Sequence, residues 1–317
     1  QKEWQEGDRK YFHYKMDAPI FNFFAFQSGR YDIQREEHKG VKIEIYHHKD
    51  HKMNVDRMIE SVKDSLDYFG VEFSPYQHKQ VRIIEFPRYA RFAQSFSNTV
   101  PYSEDIGFVA DLRDPKALDY VYFVTAHEMA HQWWGHQVIP AHVQGAAVLS
   151  ETLSEYSAYM VLENKYGPDH LRKFLKYEMD DYLKGRTRER IEETPLMRAE
   201  NQSYIHYKKG GVVMYSIRDR IGEEALNTAL RKFLMAHQYA ADPYPTTKDL
   251  IAHIKAEAPE KDHNFIDDMF EKITLFDLKV ESATVEKTED EKFKLTLELE
   301  AKKFYVSGKG EEEEVEL

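Results

Sequence analysis

The sequence predicts an α+β protein, and three observations carry that expectation. Short aromatic-rich segments up to about residue 112 alternate apolar with polar residues. Residues 114 to about 275 carry helical periodicity, and alternation returns after residue 276. The chain thus reads as a strand-rich first part, a helical middle and a strand-rich end.

The elements follow in order. The runs YFHYKM, IFNFFAFQSGRYDI and VKIEIYHH within the first fifty residues read as strands, punctuated by Gly29 and Gly40. His47, His48 and His51 cluster here, and a solvated turn of mixed His and Lys is the expected outcome ahead of a metal site. Asn54 as cap, apolar Val55, Met58, Ile59, Val62, Leu66 and Phe69, and Gly70 as stop predict a helix over 54–69. VRIIEF (81–86) and IGFVADL (106–112) read as two further strands. Asp114 and Pro115 open a helix that ends near Gly135. A second helix runs from about Val148 to Gly167 and a third from Pro168 to Gly185. Residues 185–207 have no clean period, and a loop of that length is usually functional. Strand-like LKVESATVEK and FKLTLELEAKKFYV flank the turn TEDEK.

Composition bounds the function. Of 317 residues, 42% are apolar and 32% charged, with 21 Tyr and 19 Phe, enough for a folded aromatic core. The net charge of −12 argues against attraction to phosphate backbones, so nucleic acid is not an expected partner. With no cysteine, any transition metal must sit on His and carboxylate groups. The chain begins at Gln1 without a Met and stops in the acidic run EEEEVEL, which reads as a piece of something longer. Glu311 to Glu314 are expected to be solvated.

The chemistry is concentrated in His127-Glu128-Met129-Ala130-His131. Residues four apart share a helical face, so both imidazoles can meet one ion while Glu128 stands beside its open side. Catalytic zinc takes three protein ligands and leaves a position for water, whose proton an adjacent carboxylate removes. Glu151, separated from His131 by nineteen residues and on the next predicted helix, supplies the third ligand. Glu155, one turn on, is placed to accept the free ring N–H of a ligand histidine. His136 and His142 are expected to pack or meet solvent, since a fourth protein ligand would close the water position. Trp133 and Trp134 read as core or pocket wall, and Tyr204 as either a helper of Tyr207 or a plain loop aromatic.

HEMAHQWWG followed by LSETLSEYSA resembles the gluzincin metallopeptidases, in particular the aminopeptidase N family. That resemblance implies residues 1–40 as the end of an N-terminal β domain, 41–275 as a thermolysin-like catalytic domain of a small mixed sheet plus a helical subdomain, and 276–317 as the start of a truncated C-terminal β-sandwich. It implies one catalytic zinc ion per chain and peptides as substrates. Tyr207-Lys208-Lys209-Gly210 matches the family's Tyr-x-Lys-Gly motif, which gives Tyr207 the role of oxyanion donor. Pro101-Tyr102-Ser103-Glu104-Asp105 stands where the family carries Gly-x-Met-Glu-Asn. Only the acid is kept there, with Asp for Asn, so Glu104 inherits the grip on the substrate's α-ammonium, next to an expected edge strand at 106–110. The nineteen-residue gap is similar to that of thermolysin, an endopeptidase. The wording SEDIGFV, HEMAHQWWGHQV and LSETLSEYSA resembles peptidase domains attached to bacterial ABC-transporter permeases, which implies a membrane-anchored parent and an extracytoplasmic location. The expected function is therefore a zinc aminopeptidase, with a zinc endopeptidase and a non-catalytic peptide-binding accessory domain as alternatives.

Overall fold

A computed structural model describes residues 2–114 and 117–317. β1 (Lys2–Glu6) and β2 (Arg9–His13) form an antiparallel hairpin on their own. The strand expected in the run at 20–33 does not form before Asp32. Its phenylalanines do not keep to alternate positions, and Phe23 instead packs its ring 4.3 Å from that of Phe96.

β3 (Asp32–His38) and β4 (Val41–His47) are joined by Lys39 and Gly40, both at positive φ, the two-residue turn whose twist suits a hairpin. The domain boundary expected at residue 40 thus falls inside this turn, and β3 belongs to the sheet of β4. α1 (Val55–Glu72) then crosses over to β5 (Gln80–Phe86), parallel to β4, and β6 (Thr99–Ser103) runs parallel to β5. The order is β3-β4-β5-β6.

α1 buries Val55, Met58, Ile59, Val62, Leu66 and Phe69 as the spacing predicts. Its ends differ from expectation. Asn54 caps nothing with its side chain; its amide donates to the carbonyls of Gly107 (2.7 Å) and Ala110 (3.0 Å). Gly70 does not stop the helix, because Phe73 stacks on Phe69 at 5.8 Å and that packing outweighs the ~1 kcal/mol cost of a helical glycine.

The strand expected at 106–112 is absent. The chain turns there instead, with Gly107 N–H on the Ser103 carbonyl and Val109 N–H on that of Glu104. A Cβ on Gly107 would lie 2.9 Å from Met58 Cε and from the Tyr102 ring, so only glycine lets the turn close against α1. The outer edge of β6 is covered by residues 92–96, which run antiparallel to it through Ala93↔Tyr102 and Phe96↔Thr99.

Helices follow. α2 (Tyr120–Ala130) opens on Asp119, whose carboxylate accepts from Tyr122 N–H at 3.0 Å. The start expected at Asp114 thus moves to Asp119, and the Pro115 expectation lies outside the described residues. α3 (Leu153–Tyr166) packs on α2 through Phe123 against Tyr159 (5.6 Å) and Trp134 Nε1 donating to Ser157 Oγ (2.9 Å). α4 (Pro168–Arg188), α5 (Gly210–Ile221), α6 (Glu223–His237), α7 (Thr247–Glu257) and α8 (His263–Glu271) complete the helical part. β7 (Thr274–Lys287), β8 (Phe293–Val306) and β9 (Glu312–Val315) form a largely exposed antiparallel sheet. Lys303 and Tyr305 tie it to Asp268 of α8, at 2.5 and 2.6 Å.

Candidate active site

α2 is buried from Val121 to Ala130, so its polar residues are held rigidly among apolar neighbours. His127 and His131, one turn apart, bring their Nε2 atoms to 3.0 Å of each other. Glu151 Oε2 lies 3.4 Å from His127 Nε2 and 3.2 Å from His131 Nε2. The sequence-predicted trio therefore converges on one point. Glu151 is delivered by a π turn, Val148–Thr152, that leads into α3; such widened turns recur at functional sites.

The groups around the trio orient it. Glu155 Oε1 lies 3.4 Å from His127 Nδ1, close to that nitrogen but without a hydrogen bond to it. Ser154 Oγ and the Trp134 carbonyl lie 3.1 and 3.0 Å from His131 Nδ1. Nothing in a serine between Leu153 and Glu155 signals such a contact in the sequence.

The electrostatics fit a cation. Burial pushes the His127 pKa down to about 4. Burial acts on His131 in the same direction, yet the Glu151 carboxylate beside it raises its pKa to about 9. Glu151 itself is held well below the usual carboxylate range by His131, against the effect of burial. A proton on His131 thus offsets the buried Glu151 charge, a task that a metal ion takes over while leaving both imidazoles neutral as ligands. Glu128 Oε2 and Glu151 Oε2 are buried without a hydrogen-bond donor among the described residues. This donor set and these orphaned oxygens suit zinc. Burial pushes Glu128 up to about 7, with Glu151 adding and His131 opposing.

Tyr207 stands on a second π turn, Tyr204–Lys209, with its ring centroid 5.9 Å from that of His127. Burial, then the nearby Glu151 charge, keeps its phenol protonated. Tyr204 points elsewhere and stacks on Tyr182 at 6.0 Å. Trp133 is core. Trp134, His136 and His142 line a cavity of about 510 Å³ together with His131, Glu151, Phe21, Phe23 and Tyr244. His136 is no ligand: its ring bonds to Ser95 O at 3.0 Å and Ser97 Oγ at 3.2 Å.

Gln94 and Ser95 line the same cavity, a placement that no motif or periodicity around them signals. Ser95 Oγ donates to the Glu128 carbonyl at 2.9 Å. Main-chain bonds from Gln94 N–H to Pro101 and from Phe96 N–H to Thr99 face β6, so the N–H groups of Ala93 and Ser95 face outward. Glu104, by contrast, is not among the cavity-lining residues. Its Oε1 accepts from Arg88 N–H at 3.2 Å, and its Oε2 lies 3.9 Å from His51 Nδ1. It follows β6 and precedes a turn, so the edge strand expected to adjoin it at 106–110 is replaced by residues 92–96.

Comparison with known proteins bears on this geometry. The pattern of the peptidase family M1 domain matches residues 54–272. Endoplasmic reticulum aminopeptidase 2 of Homo sapiens is 23% identical over 217 residues, 63% of this chain and 22% of that protein. Aminopeptidase M1 of Arabidopsis thaliana is 24% identical over 277 residues, 82% of this chain and 30% of that one. The crystal structure of an M1 zinc metallopeptidase from Deinococcus radiodurans superposes with a TM-score of 0.57 at 16% identity, covering 78% of this chain and 53% of that chain. The chain thus spans less than a third of the length of these curated relatives and about half of the solved structure.

Proposed function

Because the chain belongs to peptidase family M1, we propose that it hydrolyses peptides with zinc held by His127, His131 and Glu151, and that it does so as an aminopeptidase. One observation carries the reading: three donor atoms on two elements stand within 3.0–3.4 Å of one another, with the buried Glu128 beside them. When bound, zinc supplies a water whose pKa is lowered towards ~7 and a Lewis-acidic site for the scissile carbonyl.

The chain's own groups do the rest. Glu128 takes the proton from the attacking water and delivers it to the leaving amine, so no covalent intermediate is needed. Tyr207, kept protonated, donates to the oxyanion that develops on the carbonyl oxygen. The outward-facing N–H groups of Ala93 and Ser95 offer donors to an extended peptide, the Ser95 carbonyl being held by His136. Glu155 holds His127 in the tautomer that offers Nε2.

An endopeptidase is the second reading, favoured by the position of Glu104, whose carboxylate is engaged by Arg88 and His51. A non-catalytic accessory domain would need neither Glu128 nor Tyr207. The wording around both zinc-binding segments supports a bacterial transporter-associated, membrane-anchored parent with this part outside the cytoplasm; no helix among the described residues is long and apolar enough to cross a membrane. Free and N-acetylated fluorogenic peptides, with and without chelator, test the function. Chelator-sensitive cleavage of free-amine peptides alone supports the aminopeptidase; equal cleavage of both moves the assignment to the endopeptidase.

A further inference from the structure

The carboxyl ends of β4, β5 and β6 lie side by side, and each contributes a metal-ligating side chain. His51 lies in the loop after β4, Glu85 is the penultimate residue of β5, and Glu104 immediately follows β6. One donor atom from each lies within 4.8 Å of the others. The carboxyl ends of adjacent parallel strands are where open sheets most often take ligands.

Main-chain hydrogen bonds aim these groups. Glu85 Oε2 accepts from His48 N–H at 2.6 Å, which leaves Oε1 facing His51 Nδ1 at 2.5 Å. Glu104 Oε1 accepts from Arg88 N–H at 3.2 Å, which leaves Oε2 facing the same nitrogen at 3.9 Å. The His51 loop is pinned by its N–H on the His48 carbonyl at 2.9 Å. Each carboxylate therefore spends one oxygen on a backbone donor and turns the other to a common point, the arrangement in which outer contacts orient ligands. Glu85 is only 4% exposed, so its charge needs a partner. One imidazole faces two carboxylates. The nearby guanidinium of Arg88 is 3.8 Å from Glu104 Oε1, on the side away from His51, and 70% exposed.

We propose that His51, Glu85 and Glu104 form a second metal site, separate from the catalytic trio, for a divalent transition-metal ion such as zinc. Two ligands each ~2.1 Å from one ion stand roughly 3–3.5 Å apart. From 3.9 Å the Glu104 oxygen needs to approach His51 by about 0.4–0.9 Å, and from 2.5 Å the His51–Glu85 pair needs to open by about 0.5–1 Å, movements that side-chain rotation supplies. The ion balances two carboxylate charges and clamps three strand ends, including the strand that supports residues 92–96. It takes no part in the reaction, so the proposal stands or falls separately from the peptidase reading.

Metal counting decides. The full chain, the His131→Ala variant, the His51→Ala variant and the double variant are equilibrated with zinc, dialysed and analysed for bound metal. Two equivalents in the native chain, one in each single variant and none in the double variant support the second site. One equivalent in the native chain and none in His131→Ala overturn it. Should His51→Ala fail to fold, His131→Ala alone decides, since it leaves the second site intact: a retained equivalent together with a melting temperature that rises with free zinc supports the site, and loss of both overturns it.

Discussion

Thr152 Oγ donates to the His206 carbonyl at 2.5 Å, joining the π turn that carries Glu151 to the π turn that carries Tyr207. The next turn fits as closely: a Cβ on Gly210 would lie 2.3 Å from Thr152 Oγ. The turns that carry Glu151 and Tyr207 thus share one buried contact.

Thr152→Val should leave the His206 carbonyl unpaired, costing about 1–3 kcal/mol in denaturant unfolding. Gly210→Ala should push the Tyr207 turn away from Glu151, and a shift approaching 1 Å costs roughly 10²-fold in kcat. Native kcat in Gly210→Ala would show that the two turns need not touch.

Tyr207→Phe should lower kcat by about 10²–10³ with little change in KM, the signature of a donor used only in the transition state. Steady-state kinetics with bound zinc measured alongside checks it; an unchanged kcat would reduce Tyr207 to packing.

Stability should fall with acid below pH ~6.5, the unfolded-state histidine pKa. Burial pushes His78 and His136 each down to about 4. The folded state then binds fewer protons than the unfolded state between pH 4 and 6.5, so the stability these groups contribute is present above that window and lost as pH falls through it. His78→Gln should flatten the fall in denaturant midpoint across this range; an identical slope would remove His78 from the account.

Glu104→Gln should leave KM for free-amine peptides unchanged, because its carboxylate is engaged by Arg88 and His51 and does not line the cavity. A rise in KM confined to free-amine substrates would return Glu104 to the role of ammonium partner.

Much of the site was legible because its information is local. The four-residue spacing of His127 and His131 fixes a shared face in any helix, and Glu151 and Tyr207 sit in motifs with recognisable wording. Long-range relations were not legible. Residues 92–96 carry no alternation that marks them as a sheet edge, since Ser95 is used to bond α2 and Gln94 to line the cavity. The apolar run at 106–112 reads as a strand, but its apolar side chains serve a turn packed on α1. Asn54 looks like a cap and is instead a clamp for that turn. In each case a tertiary contact decided between local options of similar cost. The His51 cluster reads as a solvated turn until the folded sheet brings Glu85 and Glu104 to it.

In the proposed mechanism Glu128 accepts the proton beside a zinc held by His127, His131 and Glu151. The most direct measurement compares native protein and Glu128→Gln, both with zinc content determined, for hydrolysis of one free-amine fluorogenic peptide. The amide keeps the shape of the side chain but accepts no proton, so the account predicts unchanged metal and a rate lower by about 10²–10⁴. Near-native turnover by Glu128→Gln with zinc fully bound would contradict it.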